Sequence, residues 1–319
     1  MVEILMTSRD LVRAAIQHRT AERVPYLIDM CGDAWEALQK AGVTGGKSQD
    51  EFLDNDVQDI GIPWWSWYNL GPDWQGPDTP TTRATILGLG NYDNIHDRIK
   101  ELRQKSDKYF LVRIYASHFE KAYFSRGIEN FLSDMAGDPP FAKKLLSGII
   151  EKNLVMLENV MAIDEIDGVL LGSDWGSQMD LLMSPDTWLD MIGPGERKEY
   201  DLIHSYGKDV WVHSCGCIDR IIPHLVDMGL DVLNPVQPEC MDIRMLKETY
   251  GHKLTFWGGI STQKTLPYGT PDEVKTNVRA VRDLLSHNGG YILSPAQSIQ
   301  SDVPTANIMA LLETAREMK

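Results

Sequence analysis

Over most of the chain, short runs of wholly apolar residues alternate with longer stretches whose apolar positions recur every three to four residues. The runs read as strands buried on both faces, and the longer stretches as helices with one face toward a core. From Tyr109 onward the alternation is regular. It predicts strands over 109–116, 168–172, 209–213, 232–234, 254–258 and 291–293. Interleaved with them it predicts helices over 127–136, 139–162, 185–206, 218–228, 243–250, 272–286 and 305–318. Nearer the start, Leu11, Ala14, Ala15 and Ile16 mark one face of a helix over 8–19, with Thr7 or Ser8 as its N-cap. Residues 24–29 read as a buried strand and 34–41 as a short helix. Residues 61–82, rich in Trp and Pro, interrupt the pattern and predict a long irregular loop, a kind of segment that often forms a lid or pocket wall.

Apolar strands alternating with amphipathic helices make a parallel sheet covered by helices. No glycine-rich dinucleotide fingerprint follows the first strand, whereas polar and metal-binding side chains follow strand after strand. That asymmetry predicts an α/β fold of the closed (β/α)8 TIM-barrel type, with its chemistry at the carboxyl ends of the strands. The expected organisation is one barrel domain over 1–319, with an N-terminal helical extension and the Trp/Pro-rich loop. The length alone would also suit two domains of about 150 residues, but α/β barrels exceed that as single units.

Composition narrows the function classes. Hydrophobic residues are 43% and charged residues 24%, as in ordinary globular proteins. A net charge of −15 and the lack of any Lys/Arg run exclude a phosphate-neutralising surface, so no nucleic-acid partner is expected. The acidity serves solubility or the docking of a basic partner patch. No run of about 18 apolar residues predicts a membrane span, and the start lacks the basic region and apolar stretch of a signal peptide, so a cytoplasmic location is expected. The four cysteines, Cys31, Cys215, Cys217 and Cys240, are then thiols or metal ligands instead of disulfides.

His213 and Cys215, two apart where a strand ends, carry the strongest local signal. Imidazole nitrogen and thiolate sulfur suit Zn²⁺, and on an extended segment residues two apart point the same way. Cys240 is the best third ligand by softness and Glu239 the next; Gln237 and Cys217 also lie nearby. The plainer alternative has His213 bonding a substrate and Cys215 packing as a small apolar residue. Asp174 is placed to orient a substrate or a ligand histidine, with Trp175 and Gln178 beside it on the substrate side; an Asx turn is the alternative. Asp29 and Asp33 follow the first strand, Asp29 as a group for proton transfer, with capping of the next helix the alternative for both. Gln237 and Gln297 end their strands as substrate contacts. Trp64, Trp65 and Trp67 form a pocket wall, core, or an oligomer contact such as a homodimer's. His118 is a lesser candidate, and His204, His224, His252 and His287 read as surface residues.

Taken together, these segments resemble the uroporphyrinogen decarboxylase superfamily over nearly the whole chain. The resemblance is carried by Ser8-Arg9, Arg23-Val24-Pro25, Asp174-Trp175-Gly176-Ser177-Gln178 with Ser184-Pro185, and His213-Ser214-Cys215-Gly216. It continues in Gly229 to Gln237, Trp257-Gly258-Gly259-Ile260, and Asp302-Val303-Pro304 with Asn307. It implies a (β/α)8 barrel. Decarboxylases of the family carry an Arg-Gln-Ala-Gly-Arg segment that grips tetrapyrrole propionates; here Asp29 and Asp33 stand where the arginines would be. A polyanionic porphyrinogen would meet repulsion there. His213 and Cys215 instead resemble the His-x-Cys motif of the branch that works with corrinoid proteins, whose further cysteine would fall near Ser294–Gln297, where none stands.

That resemblance implies a methyltransferase moving a methyl group between a small methylated compound, such as a methoxylated aromatic, and a corrinoid carried by a partner protein. Zinc or an acid would activate the leaving heteroatom. The reverse transfer, to a thiol or folate, uses the same geometry. The alternatives are a metal-independent decarboxylase or lyase acting on a small carboxylated substrate through Asp29 or Asp174, and a non-catalytic binder on an inherited barrel.

Overall fold

The structure, a computed structural model, describes residues 6–66, 85–88, 94–114 and 117–317. Among them, nine strands form: β1 (Val57–Ile60), β2 (Pro63–Ser66), β3 (Thr85–Gly88), β4 (Tyr109–Ile114), β5 (Gly168–Gly172), β6 (Asp209–His213), β7 (Val232–Asn234), β8 (Thr255–Ile260) and β9 (Tyr291–Pro295). Seven of them make one curled parallel sheet in the order β1-β4-β5-β6-β7-β8-β9, with helices in the connections. This is the expected TIM-type barrel. β2 and β3 pair antiparallel outside it; β2 opens the Trp/Pro-rich segment, and the rest of the expected irregular loop, residues 67–82, lies outside the described residues.

The predicted strand over 24–29 occupies the closing position of the barrel, yet only single bridges form there. On one side Leu27 N–H donates to Leu293 O (3.1 Å), and Leu293 N–H donates to Pro25 O (2.8 Å). On the other side one backbone bond forms, Asp56 N–H donating to Tyr26 O (3.1 Å), and side chains supply the rest. Asp56 accepts from Tyr26 N (2.9 Å), and Asn55 both accepts from Ile28 N (2.9 Å) and donates to Ile28 O (3.0 Å). The segment closes the cylinder without a regular ladder. β1, its neighbour, escapes the apolar-run criterion because Gln58 and Asp59 sit inside a strand of only four residues.

Local sequence explains the helix boundaries. The first helix ends at Ile16, short of Arg19, because His18 takes a left-handed φ of 53°. The predicted helix over 185–206 is two helices, Pro185–Met191 and Gly193–Ser205. Pro194 has no N–H to donate back and crowds the preceding turn, so the chain restarts there. Among the described residues no helix is long and apolar enough to cross a membrane.

Side chains from every barrel strand fill the interior, among them Tyr109, Leu170, Trp211, Trp257 and Ile292, and Val12 and Ala15 of the first helix join them. That helix therefore plugs the amino-terminal end. Trp211 and Trp257 meet edge to face at 5.6 Å. At the same end lies Asp209, whose carboxylate accepts from the Tyr109 hydroxyl (2.6 Å). Burial, joined by Asp231 and Asp167, pushes the Asp209 carboxyl up to about 6 despite that bond. The folded state then holds a proton that the unfolded state has already released, so stability falls as pH rises from about 4 to about 6. Asp209→Asn keeps an acceptor for Tyr109 and should remove that part of the decline. Urea midpoints across the window check this; an unchanged slope would refute it.

Candidate active site

The loops after β5 and β6 interlock at the carboxyl ends of the strands. Cys217 N–H donates to Ser177 O (2.8 Å), and Cys215 N–H donates to Asp174 Oδ1 (2.8 Å). Two glycines make this approach feasible. A Cβ on Gly176 would stand 2.9 Å from Cys215 O, and one on Gly216, at φ +84°, would stand 2.5 Å from Ser177 O. Asp174, far from Cys215 in sequence, is thus held against it.

His213 ends β6 beside Asn234, which ends β7. The Asn234 amide donates through Nδ2 to Trp257 O (2.9 Å), so its oxygen faces His213 Nδ1 and accepts from it. That bond puts the proton on Nδ1 and leaves the Nε2 lone pair open. Nε2 lies 3.2 Å from Cys215 Sγ and 3.7 Å from Asp174 Oδ1. Ligands of one tetrahedral zinc at bond lengths of about 2.0–2.3 Å stand about 3.4–3.6 Å apart. The three side chains therefore fit zinc, and Asp174 takes the place expected of Cys240 or Glu239. Burial, followed by the charges of Asp174 and Glu120, pushes the Cys215 thiol up to about 12, so its ionisation calls for a cation alongside. Asn234→Ala should weaken zinc binding about 10–100-fold by freeing the imidazole. Chelator competition checks this, and unchanged affinity would remove Asn234 from the site.

Asp174 and His213 line a cavity of about 470 Å³. Its far wall is ionic. Arg113 donates to both oxygens of Asp29 (2.7 and 3.1 Å) and through Nε to Asp59 (2.7 Å), with its guanidinium 5.4 Å from the Trp257 ring centroid. Asp29 therefore anchors Arg113 instead of standing free for proton transfer. Glu120 closes the cavity beside Asp174. Burial, then the Asp174 charge, raises its carboxyl to about 7, against the Tyr123 hydroxyl that donates to it (2.9 Å).

The other expected residues divide. Gln297 lines the cavity and its amide reaches Cys215 Sγ (3.5 Å). Gln178 is exposed at the rim, where Gln237 (3.3 Å) and Gln263 (3.4 Å) donate to its oxygen. Trp175 is turned away: it is fully buried against Trp188, edge to face at 5.3 Å, and belongs to the core. Glu239 accepts from Ser261, and neither it nor Cys240 joins the three-donor group. Trp64 is half-buried against the core, with Lys121 5.9 Å from its ring; Trp67 lies outside the described residues. Asp33 is an exposed acid in the first turn of the helix Gly32–Lys40, which Cys31 caps. Sequence reasoning passed over Arg113, Glu120 and Asn234. A lone arginine inside an otherwise apolar strand was the available signal for Arg113.

A second donor group lies behind the cavity wall. His118, Glu196 and Glu199 are wholly buried, and their ligand atoms lie within 4.8 Å of one another, so this group could also hold a metal ion. Burial works against charge on His118, yet the two carboxylates hold its pKa at about 10. The ring carries a proton or faces another cation.

The sequence profile of the uroporphyrinogen decarboxylase (URO-D) family matches residues 115–318. The chain belongs to the URO-D family. No curated protein sequence matches it. Among solved structures, a methyltransferase from Methanosarcina mazei is similar over 97% of this chain and 98% of its own, with a TM-score of 0.69 and 17% identity. At that identity the likeness is one of fold. A 3-keto-D-glucoside 4-epimerase from E. coli is more distant, with a TM-score of 0.42 and 10% identity over 70% of this chain and 86% of its own. The family match agrees with the motifs in the sequence, and within this URO-D barrel those motifs have distinct duties. Arg9 and Arg23 bind buried acids at the plugged end, whereas Asp174, His213 and Cys215 meet at the open end.

Proposed function

We propose that this URO-D family member is a methyltransferase that moves a methyl group between a small methylated compound and a corrinoid carried by a partner protein. The observation that carries the reading is the convergence of His213 Nε2, Cys215 Sγ and Asp174 Oδ1 at the strand carboxyl ends, beside a cavity that His213 and Asp174 line. Zinc bound there would supply a Lewis acid that neutralises the leaving heteroatom, without which an alkoxide or phenoxide leaves poorly. Asn234 keeps the imidazole lone pair aimed into the cavity, and Asp174 holds the Cys215 backbone while offering its own oxygen. The Asp29–Arg113–Asp59 wall leaves little cationic charge for a polyanion such as a porphyrinogen. A methoxylated aromatic is the substrate class proposed, with the carrier protein covering the rim near Gln178 and Gln263.

The test is an assay with reduced corrinoid carrier protein, read by the change in its visible spectrum. A panel of methoxyarenes, methylamines and methyl thioethers is supplied to the zinc-loaded and the chelator-stripped chain. Carrier methylation by the loaded chain alone supports the proposal. No methylation from any of these donors, or carboxylate loss catalysed equally well by stripped protein, would overturn it.

A further inference from the structure

Behind the helix His118–Arg126, three elements meet at a point wholly screened from solvent. His118 opens that helix, Glu196 and Glu199 lie one turn apart on the helix Gly193–Ser205, and Asn153 comes from the helix Pro139–Met161. Residues three apart on a helix share a face, so both carboxylates point at the imidazole. His118 Nε2 contacts Ile192 O at 3.1 Å, where it can only donate. Nδ1 therefore faces the acids, 3.2 Å from Glu196 Oε1 and 3.6 Å from Glu199 Oε2.

Those spacings bear on two arrangements. A charge-assisted N–H···O bond would be about 2.7–2.9 Å long. Oxygen and nitrogen ligands of one tetrahedral cation, each about 2.1 Å from it, stand about 3.4 Å apart. The observed pair brackets the second value. Neither oxygen of the buried Glu196 meets hydrogen-bond geometry, although His118 Nδ1 and the Tyr200 hydroxyl lie beside it. Burial raises the Glu196 carboxyl, and a cation shared with the imidazole would offset the cost of holding it charged there, as buried Lys121 does for Glu199.

The surroundings match a built ligand shell. Glu199 is oriented by Asn153 Nδ2 (2.7 Å) and by the Ser117 hydroxyl (3.0 Å), and the carbonyl of Ile192 fixes the His118 tautomer. Gly195 makes room for the ring, since a Cβ there would stand 2.8 Å from His118 Nε2. A separate cleft of about 190 Å³, lined by Lys143, Ile150, Asp190 and Gly195, runs from the outside of the barrel to His118.

We propose that His118 Nδ1, Glu196 and Glu199 bind a divalent transition cation at a site separate from the barrel mouth. One imidazole and two carboxylates suit Zn²⁺, Mn²⁺, Fe²⁺ or Co²⁺. The ion ties the first turn of the helix His118–Arg126, which carries Glu120 into the cavity, to the helix Gly193–Ser205. It acts as a structural clamp on one wall of the pocket and takes no part in the reaction. The site stands or falls independently of the methyltransferase proposal.

The test uses the H213A/C215S double variant of the full chain, which lacks the donors at the mouth. After chelator stripping it is offered Zn²⁺, Mn²⁺ and Co²⁺ in turn. One equivalent retained after desalting, a melting temperature raised by several degrees at saturation, and Co²⁺ absorption without a thiolate charge-transfer band are expected. Adding E196Q to the same background should abolish all three. Failure of the double variant to retain any of these ions would overturn the proposal and leave His118 as an imidazolium between two carboxylates. So would full retention after E196Q. If E196Q does not fold, the titration of the double variant decides alone.

Discussion

Replacing His213 by alanine, or Cys215 by serine, is expected to lower the proposed methyl transfer by on the order of 10²–10³-fold and to abolish the proposed binding of a cation at the barrel mouth. The magnitude is that of removing one preorganised group that neutralises charge developing on a leaving atom. Each substitution takes away one of the three donors that meet there among the described residues. The imidazole is the larger loss, because its lone pair is aimed by Asn234, and Asn234 is itself held by the Trp257 carbonyl. The thiol is reluctant to ionise, pushed up to about 12 by burial and the nearby acids, so it binds as a thiolate only in company with a cation. In the His213→Ala variant, loss of the metal should therefore leave a Cys215 thiol that reacts slowly with alkylating reagents at neutral pH. Metal content and single-turnover rates measured on the same samples check the link. Full activity in metal-free variants would exclude any role for a cation at this site.

The largest effect on stability is expected at Asp167, at the opposite end of the barrel. Its buried carboxylate receives Arg9 and Arg13 through Oδ1, and Arg103 through Oδ2. It also accepts from the backbone N–H of Phe110 in β4 (2.9 Å). Asp167→Ala leaves that amide without a partner and three guanidiniums without their counter-charge. Breaking a buried ion pair from one side costs about 3–5 kcal/mol. The side chains of Arg9 and Arg13 are 30% and 43% exposed and can turn to water, so the lower end, about 3 kcal/mol, is expected. Urea unfolding gives the value. The folded fraction should keep its turnover, since this cluster lies where the first helix plugs the barrel. A loss below about 1 kcal/mol would place Asp167 among ordinary surface ion pairs.

Much of the open-end chemistry was legible in order along the chain. His213, Asp174 and Gln297 each follow an apolar strand, and in a parallel barrel the same end of every strand opens on one mouth. Residues whose contribution depends on their partners were not legible. Asp29 reads as a free acid until Arg113 is seen gripping both its oxygens. Trp175 reads as a ligand contact until its ring is found packed on Trp188. Cys240 is the softer donor, but softness says nothing about which loop reaches His213. The interlock of Gly176 with Gly216 brings Asp174 there instead.

The sequence by itself determined the barrel, the family and the end of the barrel at which the active groups gather, because hydrophobic period and strand order are properties of the chain in one dimension. Only the tertiary structure decided which acid stands beside the imidazole and thiol, how the first strand position closes through the side chains of Asn55 and Asp56, and that His118 meets Glu196 and Glu199. Those outcomes turn on ångström distances between residues tens of positions apart. Loop crossings and close glycine contacts set such distances, and no local pattern of residue types records them.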